Sequence, residues 1–287
     1  MINKRTIMKL LRVGEKGNEK PAVLDENSKL RDISSHVKDL NPDHLNFETI
    51  IKLQGIDFSS LPEIPASTRI GSCIAKPGKF VAIGLNFSDH AKESNLPVPT
   101  EPITFMKATS SINGPNDDIE IVSGSKKLDW EVELGIVIGK ETKHISENQS
   151  QNHILGYCLV NDISEREWQI EKMGQWVKGK SHDTYGPIGP YLVTKDDIPD
   201  INNLNMSLDV NGKRMQTGNT NTMIFNVDVI VSYLSKFMSL QPGDIITTGT
   251  PPGVGMGMKP QQFLKEGDKM KLSIENLGEQ NSKVVAI

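Results

Sequence analysis

The chain has 287 residues, 24% of them charged and 36% apolar, the make-up of a water-exposed globular protein long enough to bury a core without disulfides. A formal net charge of -4 with no concentrated basic face excludes nucleic acid as an expected partner, because phosphate binding needs clustered lysine and arginine. The two cysteines, Cys73 and Cys158, lie far apart without metal-type spacing and read as buried thiols of a reduced compartment, the cytoplasm.

In chain order, residues 1–11 are basic but carry no apolar run of the signal-peptide kind. Short strands are expected at 10–13 and 22–24 around the turn-forming Gly14-Glu15-Lys16-Gly17-Asn18, then a helix at 46–54. Leu61-Pro62-Glu63-Ile64-Pro65 is a Pro-bearing exit, so residues 1–68 are set apart as a small N-terminal domain and 69–287 as the main one. The remainder is rich in strand signals with frequent Gly and Pro. Strands are predicted at 80–85, 130–138, 154–160, 204–210 and 270–274. Asn211-Gly212 signals a two-residue hairpin, and Gln241-Pro242-Gly243-Asp244 a turn into a strand at 245–248. Two long helices are expected, at 165–173 and 227–238. The second lies in the apolar stretch 224–240, where Asp228, Lys236 and helical spacing mark a core helix; no membrane span is expected. The pattern predicts a β-rich α+β fold with a few surface helices.

Chemistry concentrates in three places. Along Asp129-Trp130-Glu131-Val132-Glu133-Leu134, strand alternation sends Asp129, Glu131 and Glu133 to one face and the apolar residues to the other. Either that face is the solvated side of an edge strand, or it holds a hard cation such as Mg²⁺ or Mn²⁺. Asp162, closing a neighbouring strand in Val160-Asn161-Asp162, is placed to supply a third carboxylate. In the second place, the short helix predicted at 86–94, His90 and Glu93 are three apart and share a face. They form either a surface ion pair or a carboxylate-oriented imidazole suited to activating water near neutral pH.

The third place is a pair of loops, at 178–187 and 248–257. Lys180 is placed either to stabilise an oxyanion or to neutralise the carboxylates. The segment Thr248-Gly249-Thr250-Pro251-Pro252-Gly253 is no Walker loop, because no Gly-Lys-Ser/Thr follows. It is no dinucleotide fingerprint either, because Pro251-Pro252 precludes a helix start. Thr250 there is either a substrate donor or part of a structural turn. Arg166 and Gln169 share a helical face one turn beyond Asp162. Each of them, like Lys107, is either a carboxylate-binding group or solvated.

Taken in order, seven blocks resemble the fumarylacetoacetate hydrolase family. They are Asn86 with His90-x-x-Glu93; Pro102-Ile103-Thr104-Phe105-Met106-Lys107; Asp129-Trp130-Glu131-Val132-Glu133-Leu134; Asn161-Asp162-Ile163-Ser164; Lys180-Ser181-His182-Asp183-Thr184; Gly218-Asn219-Thr220; and Thr248-Gly249-Thr250-Pro251-x-Gly253-Val254-Gly255. The resemblance runs from about Arg69 to the end, and residues 1–68 resemble the small N-terminal α+β domain of bacterial members. It implies a mixed β-sandwich/roll catalytic domain, a homodimer, and Mg²⁺ or Mn²⁺ held by Glu131, Glu133 and Asp162. It further implies a His90–Glu93 dyad on a lid, Lys180 among the catalytic groups, and Thr250, Arg166, Gln169 and Lys107 on the substrate side. His182 stands where many members carry an aromatic and is read as a neighbour of the site, not a second base.

The substrate so implied is a small oxo acid. Water activated against C4 of a 2,4-dioxo acid, such as a sugar-derived one, splits a C–C bond to give a carboxylic acid and a metal-stabilised pyruvate enolate. Oxaloacetate decarboxylation or tautomerisation passes through the same enolate and is the alternative enzyme reading; ureidoglycolate lyase is a third. A metal-stabilised binding protein is the non-enzyme alternative, and the presence of both His90 and Glu93 argues against it.

Overall fold

A computed structural model describes residues 7–89 and 98–287. Its centre is set by two antiparallel strands, Val132–Ile138 and Ile154–Asn161, in which every residue is buried. Nearly continuous apolar runs of this kind belong to strands covered on both faces. Alternation divides each strand between two cores. Leu134, Ile136, Tyr157 and Leu159 enter one; Val137, Cys158 and Val160 enter the other.

Among the described residues these strands lie in a nine-stranded sheet. Its order is Leu30–Asp32, Lys20–Leu24, Lys9–Val13, Leu192–Thr194, Ile154–Asn161, Val132–Ile138, Ile245–Thr247, Phe80–Gly84, Ile103–Lys107. The first core is closed by a five-stranded sheet, ordered Lys213–Asn219, Asn205–Val210, Lys269–Ile274, Gly278–Ala286, Ile119–Ile121, and by the helix Val227–Ser235. The second is closed by the leading residues, through Leu10, Ile33, Leu40 and the helix Phe47–Gln54 with Ile50 and Leu53. Truncating a fully buried side chain at such a double-covered position, Leu134→Ala for instance, costs about 2–5 kcal/mol.

Local chemistry fixes the element ends. Asn46 accepts the Thr49 N–H at 2.9 Å, and Asn226 accepts those of Asp228 and Val229 at 3.1 Å each. Each cap is worth about 1 kcal/mol against alanine. The hairpin between Asn205–Val210 and Lys213–Asn219 turns on Asn211 (φ 52°) and Gly212 (φ 77°), the pair of left-handed residues that a tight two-residue turn requires.

The segment 165–173 is not the α-helix its spacing predicts. Ser164–Glu165 pairs with Leu128–Asp129, and a π-helical turn follows at Glu167–Glu171. The Glu165 carboxylate accepts the backbone N–H groups of Lys127 and Glu167. Gly179 packs so closely that a Cβ there would lie 2.3 Å from the Glu165 carbonyl oxygen. Tertiary contacts thus override local propensity. The leading strands also join the main sheet directly, Lys9 standing opposite Val193, so residues on both sides of position 68 share one sheet. Cys73 and Cys158 are buried free thiols. No helix among the described residues is long and apolar enough to cross a membrane.

Candidate metal and substrate site

Strand register assembles the carboxylates. Val160 stands opposite Glu133, and Asp162 follows two residues later, its N–H donating to the Glu131 carbonyl at 3.0 Å. One oxygen from each of Glu131, Glu133 and Asp162 comes within 4.8 Å of the others, and all three residues are buried. Asp129, expected on the same face, is turned away. The strand begins only at Val132, and the Asp129 carboxylate accepts the N–H groups of Gly255 (2.7 Å) and Met256 (3.0 Å) as well as the Arg166 guanidinium (2.8 Å). Its work is to tie the glycine-rich loop to Arg166. The edge-strand reading does not hold, because Asp129, Glu131 and Glu133 are all buried and Val132–Ile138 lies between two other strands of the nine-stranded sheet.

Three buried cations answer the acids. Lys180, at the end of the short helix Val177–Lys180, places its ammonium 2.7 Å from Glu131 Oε2 and 2.6 Å from Asp162 Oδ2. Lys107 donates to Asp162 Oδ1 at 2.6 Å and to the Lys180 carbonyl. Arg166 bridges Asp129 and Glu131 (2.5 Å) and donates to Gln169 at 3.0 Å. Of the two alternatives for Lys180, the structure places it against the carboxylates.

Of the four carboxyls Asp129, Glu131, Glu133 and Asp162, all buried, three are met by these cations; Glu133 is not. Its partners are neutral: the Thr247 hydroxyl and the Gly249 N–H at 2.9 Å. Burial, followed by the charges of Asp162 and Glu131, pushes the Glu133 carboxyl well above its ordinary value. Burial also opposes the charged form of Glu131, but there Arg166 and Lys180 outweigh it and hold the group well below the carboxylate range. Three converging hard oxygen donors, one of them on a carboxyl with no cationic partner of its own among the described residues, fit a divalent cation.

A cleft opens over Glu131 and Glu133, lined among the described residues by Phe105, Arg166, Gln169, Trp176, Thr250 and Met256 and several apolar neighbours. Thr250 faces it with a committed hydroxyl, which donates to the Val132 carbonyl at 2.9 Å and accepts from Gln216 at 2.8 Å. Lys107 does not line the cleft; it sits behind Asp162 with its side chain fully withdrawn from solvent. His182 also lies off it, its ring centre 5.0 Å from that of Tyr185. His90 and Glu93 fall outside the described residues. Sequence reasoning missed the Thr247 contact to Glu133 and the wall residues Phe105 and Trp176, whose rings meet edge-on at 5.2 Å. The one local signal for Thr247 was a hydroxyl at a strand end just before Gly249, whose φ of 94° lets the backbone N–H turn toward the carboxylate.

Residues 79–285 match the family model for the C-terminal domain of fumarylacetoacetate (FAA) hydrolase. A Burkholderia ambifaria protein that bears a provisional hydrolase name is 56% identical over 274 residues, covering 95% of this chain and 97% of its own. The structure of fumarylacetoacetate hydrolase from the psychrophile Exiguobacterium antarcticum aligns with a TM-score of 0.86 at 34% identity, over 98% of this chain and 100% of that one. Maleylpyruvate hydrolase from Sphingobium sp. SYK-6, in complex with manganese(II) ion and pyruvate, aligns with a TM-score of 0.82 at 25% identity, over 97% and 99%. That manganese and the acidic triad here both point to a divalent metal. On the span of the match and the likeness across nearly the whole length, this chain belongs to the fumarylacetoacetate hydrolase family.

Proposed function

We propose that the chain is a divalent-metal-dependent hydrolase that cleaves the C3–C4 bond of a 2,4-dioxo acid of the acylpyruvate type. The observation that carries this reading is the buried, converging set Glu131, Glu133 and Asp162; the pyruvate bound by the Sphingobium relative supports it. Mg²⁺ or Mn²⁺ on these oxygens would supply a Lewis acid for the 2-oxo-carboxylate head. Lys180 and Arg166, each locked by carboxylates, keep two positive charges beside that head and orient it. His90 and Glu93 are assigned by family resemblance to take a proton from water as its oxygen adds to the C4 carbonyl. The C3–C4 bond then breaks. The C4 side leaves as a carboxylic acid, C3 takes up a proton, and one water is consumed for each pyruvate formed.

The test is to incubate the Mn²⁺- or Mg²⁺-loaded protein with 2,4-dioxopentanoate and follow the loss of diketone absorbance and the formation of pyruvate. Equimolar pyruvate and acetate are expected. An unchanged diketone, with CO₂ released from oxaloacetate instead, would refute the hydrolase and assign decarboxylation.

A further inference from the structure

We infer that the substrate tail beyond C4 is an uncharged hydrocarbon group that packs against Trp176, Ile170 and Phe105; the inference rests on the oxo-acid reading above. From the carboxylates outward, the cleft changes character. Its floor carries Glu131, Glu133, Arg166, Lys180 and the buried Gln169, and its wall is apolar: Ile83, Phe105, Ile170, Trp176 and Met256. Trp176 is fixed in that wall from two sides. Its ring meets Phe105 edge-on, and it occupies a notch left by Gly84, where a Cβ would lie 2.6 Å from the indole.

The cations among the described lining residues both belong to the floor. Arg166 is held by Asp129, Glu131 and Gln169, and Lys180 by Glu131 and Asp162. A carboxylate at the far end of the tail would shed its hydration against carbon with no counter-charge to meet it among the described lining residues. A polyhydroxylated, sugar-like tail meets the same carbon surface, and the Thr250 hydroxyl nearby is already committed to Val132 and Gln216. Hydrocarbon loses water there at no such cost, and an indole wall favours it.

Two uncleavable 2-oxo acids separate a hydrocarbon tail from an anionic one, because they lack the 4-oxo group and differ only at the tail end. Mn²⁺-loaded protein is titrated calorimetrically with 2-oxohexanoate and with 2-oxoadipate. The expected result is that 2-oxohexanoate binds at least about tenfold more tightly. Ile170→Arg, at a position 45% exposed and so tolerant of charge, should raise the affinity for 2-oxoadipate about tenfold by supplying the missing counter-ion. Equal or tighter binding of 2-oxoadipate by the unaltered protein overturns the inference, whatever the protein does to 2,4-dioxopentanoate. A kept preference for 2-oxohexanoate without turnover of the dioxo acid upholds the tail assignment and refutes hydrolysis alone. Failure of both ligands to bind overturns the oxo-acid reading and the tail assignment together.

Discussion

The Lys107 ammonium donates to Asp162 Oδ1 at 2.6 Å, and both side chains are withdrawn from solvent. The other Asp162 oxygen takes Lys180, which lines the cleft. Lys107 is therefore a positioning group: it holds a prospective ligand from behind, as outer partners of metal-binding carboxylates do. Lys107→Met keeps the volume and removes the charge, leaving Asp162 with a single cation. Breaking a buried pair in this way costs about 3–5 kcal/mol. The variant should melt roughly 10 °C lower and bind Mn²⁺ about 10–100-fold more weakly. Unchanged values of both would show that the pair contributes nothing.

Asp129 should separate loop anchoring from metal binding. It fastens the N–H groups of Gly255 and Met256 to the Arg166 guanidinium. Asp129→Asn keeps the size, loses the charge and turns a donor toward one of those N–H groups. A loosened loop lowers kcat/KM for 2,4-dioxopentanoate by about 10–100-fold, the usual toll of a misplaced supporting residue. Mn²⁺ affinity should stay within about threefold, because Asp129 is not among the converging oxygens. A collapse of Mn²⁺ affinity as large as the loss in kcat/KM would place Asp129 on the ion instead.

The carboxylate triad was legible because two of its members are an i, i+2 pair and the third closes a neighbouring strand. An antiparallel register with Val160 opposite Glu133 converts that spacing into a cluster. The Asn211-Gly212 turn was legible for a similar reason, since its left-handed backbone is written in two adjacent residues. Lys107 and Asp162 are 55 positions apart, Glu133 and Thr247 114, and Asp129 and Gly255 126. No local period encodes such pairs. They depend on which strands become neighbours, and Ile245–Thr247 lying between Val132–Ile138 and a parallel Phe80–Gly84 is a crossover that strand propensity does not announce. The misread helix at 165–173 shows the opposite error. Arg166 and Gln169 do share a face, as spacing predicts, but Glu165 is captured by the Lys127 and Glu167 backbone and the turn widens to a π form.

Metal removal gives a prediction independent of turnover. Dialysis against chelator should lower the melting temperature, and adding Mn²⁺ to about 100 times its Kd should restore about 2.7 kcal/mol. For a chain of this size that is a rise of roughly 5–10 °C. Glu133→Gln should abolish the Mn²⁺-dependent rise. Without metal it should melt no lower than the unaltered protein, because the amide replaces a buried carboxyl whose described partners, Thr247 and Gly249, are neutral. Identical melting of chelated and Mn²⁺-loaded protein would exclude a cation at this site.

Glu19 is held by Arg69 at 2.9 Å and Arg12 at 3.4 Å, so one carboxylate joins a leading strand to the segment after the Pro-bearing exit. Burial opposes its charge, yet the Arg69 hydrogen bond, its own backbone N–H and Arg12 outweigh that and leave it below its ordinary value. A carboxyl lowered on folding stabilises the protein above its unfolded value, and the gain is lost as the pH falls through the folded one. Glu19→Gln should therefore melt below the unaltered protein at pH 7, by an amount corresponding to ~1–3 kcal/mol for charge-assisted hydrogen bonds. The gap between the two melting temperatures should begin to close as the pH drops beneath the ordinary carboxylate value of about 4.3 and vanish only below the lower folded value. Scanning calorimetry from neutral to acid pH reads this directly. A gap that stays constant across the range would mean that Glu19 acts by packing and not by charge.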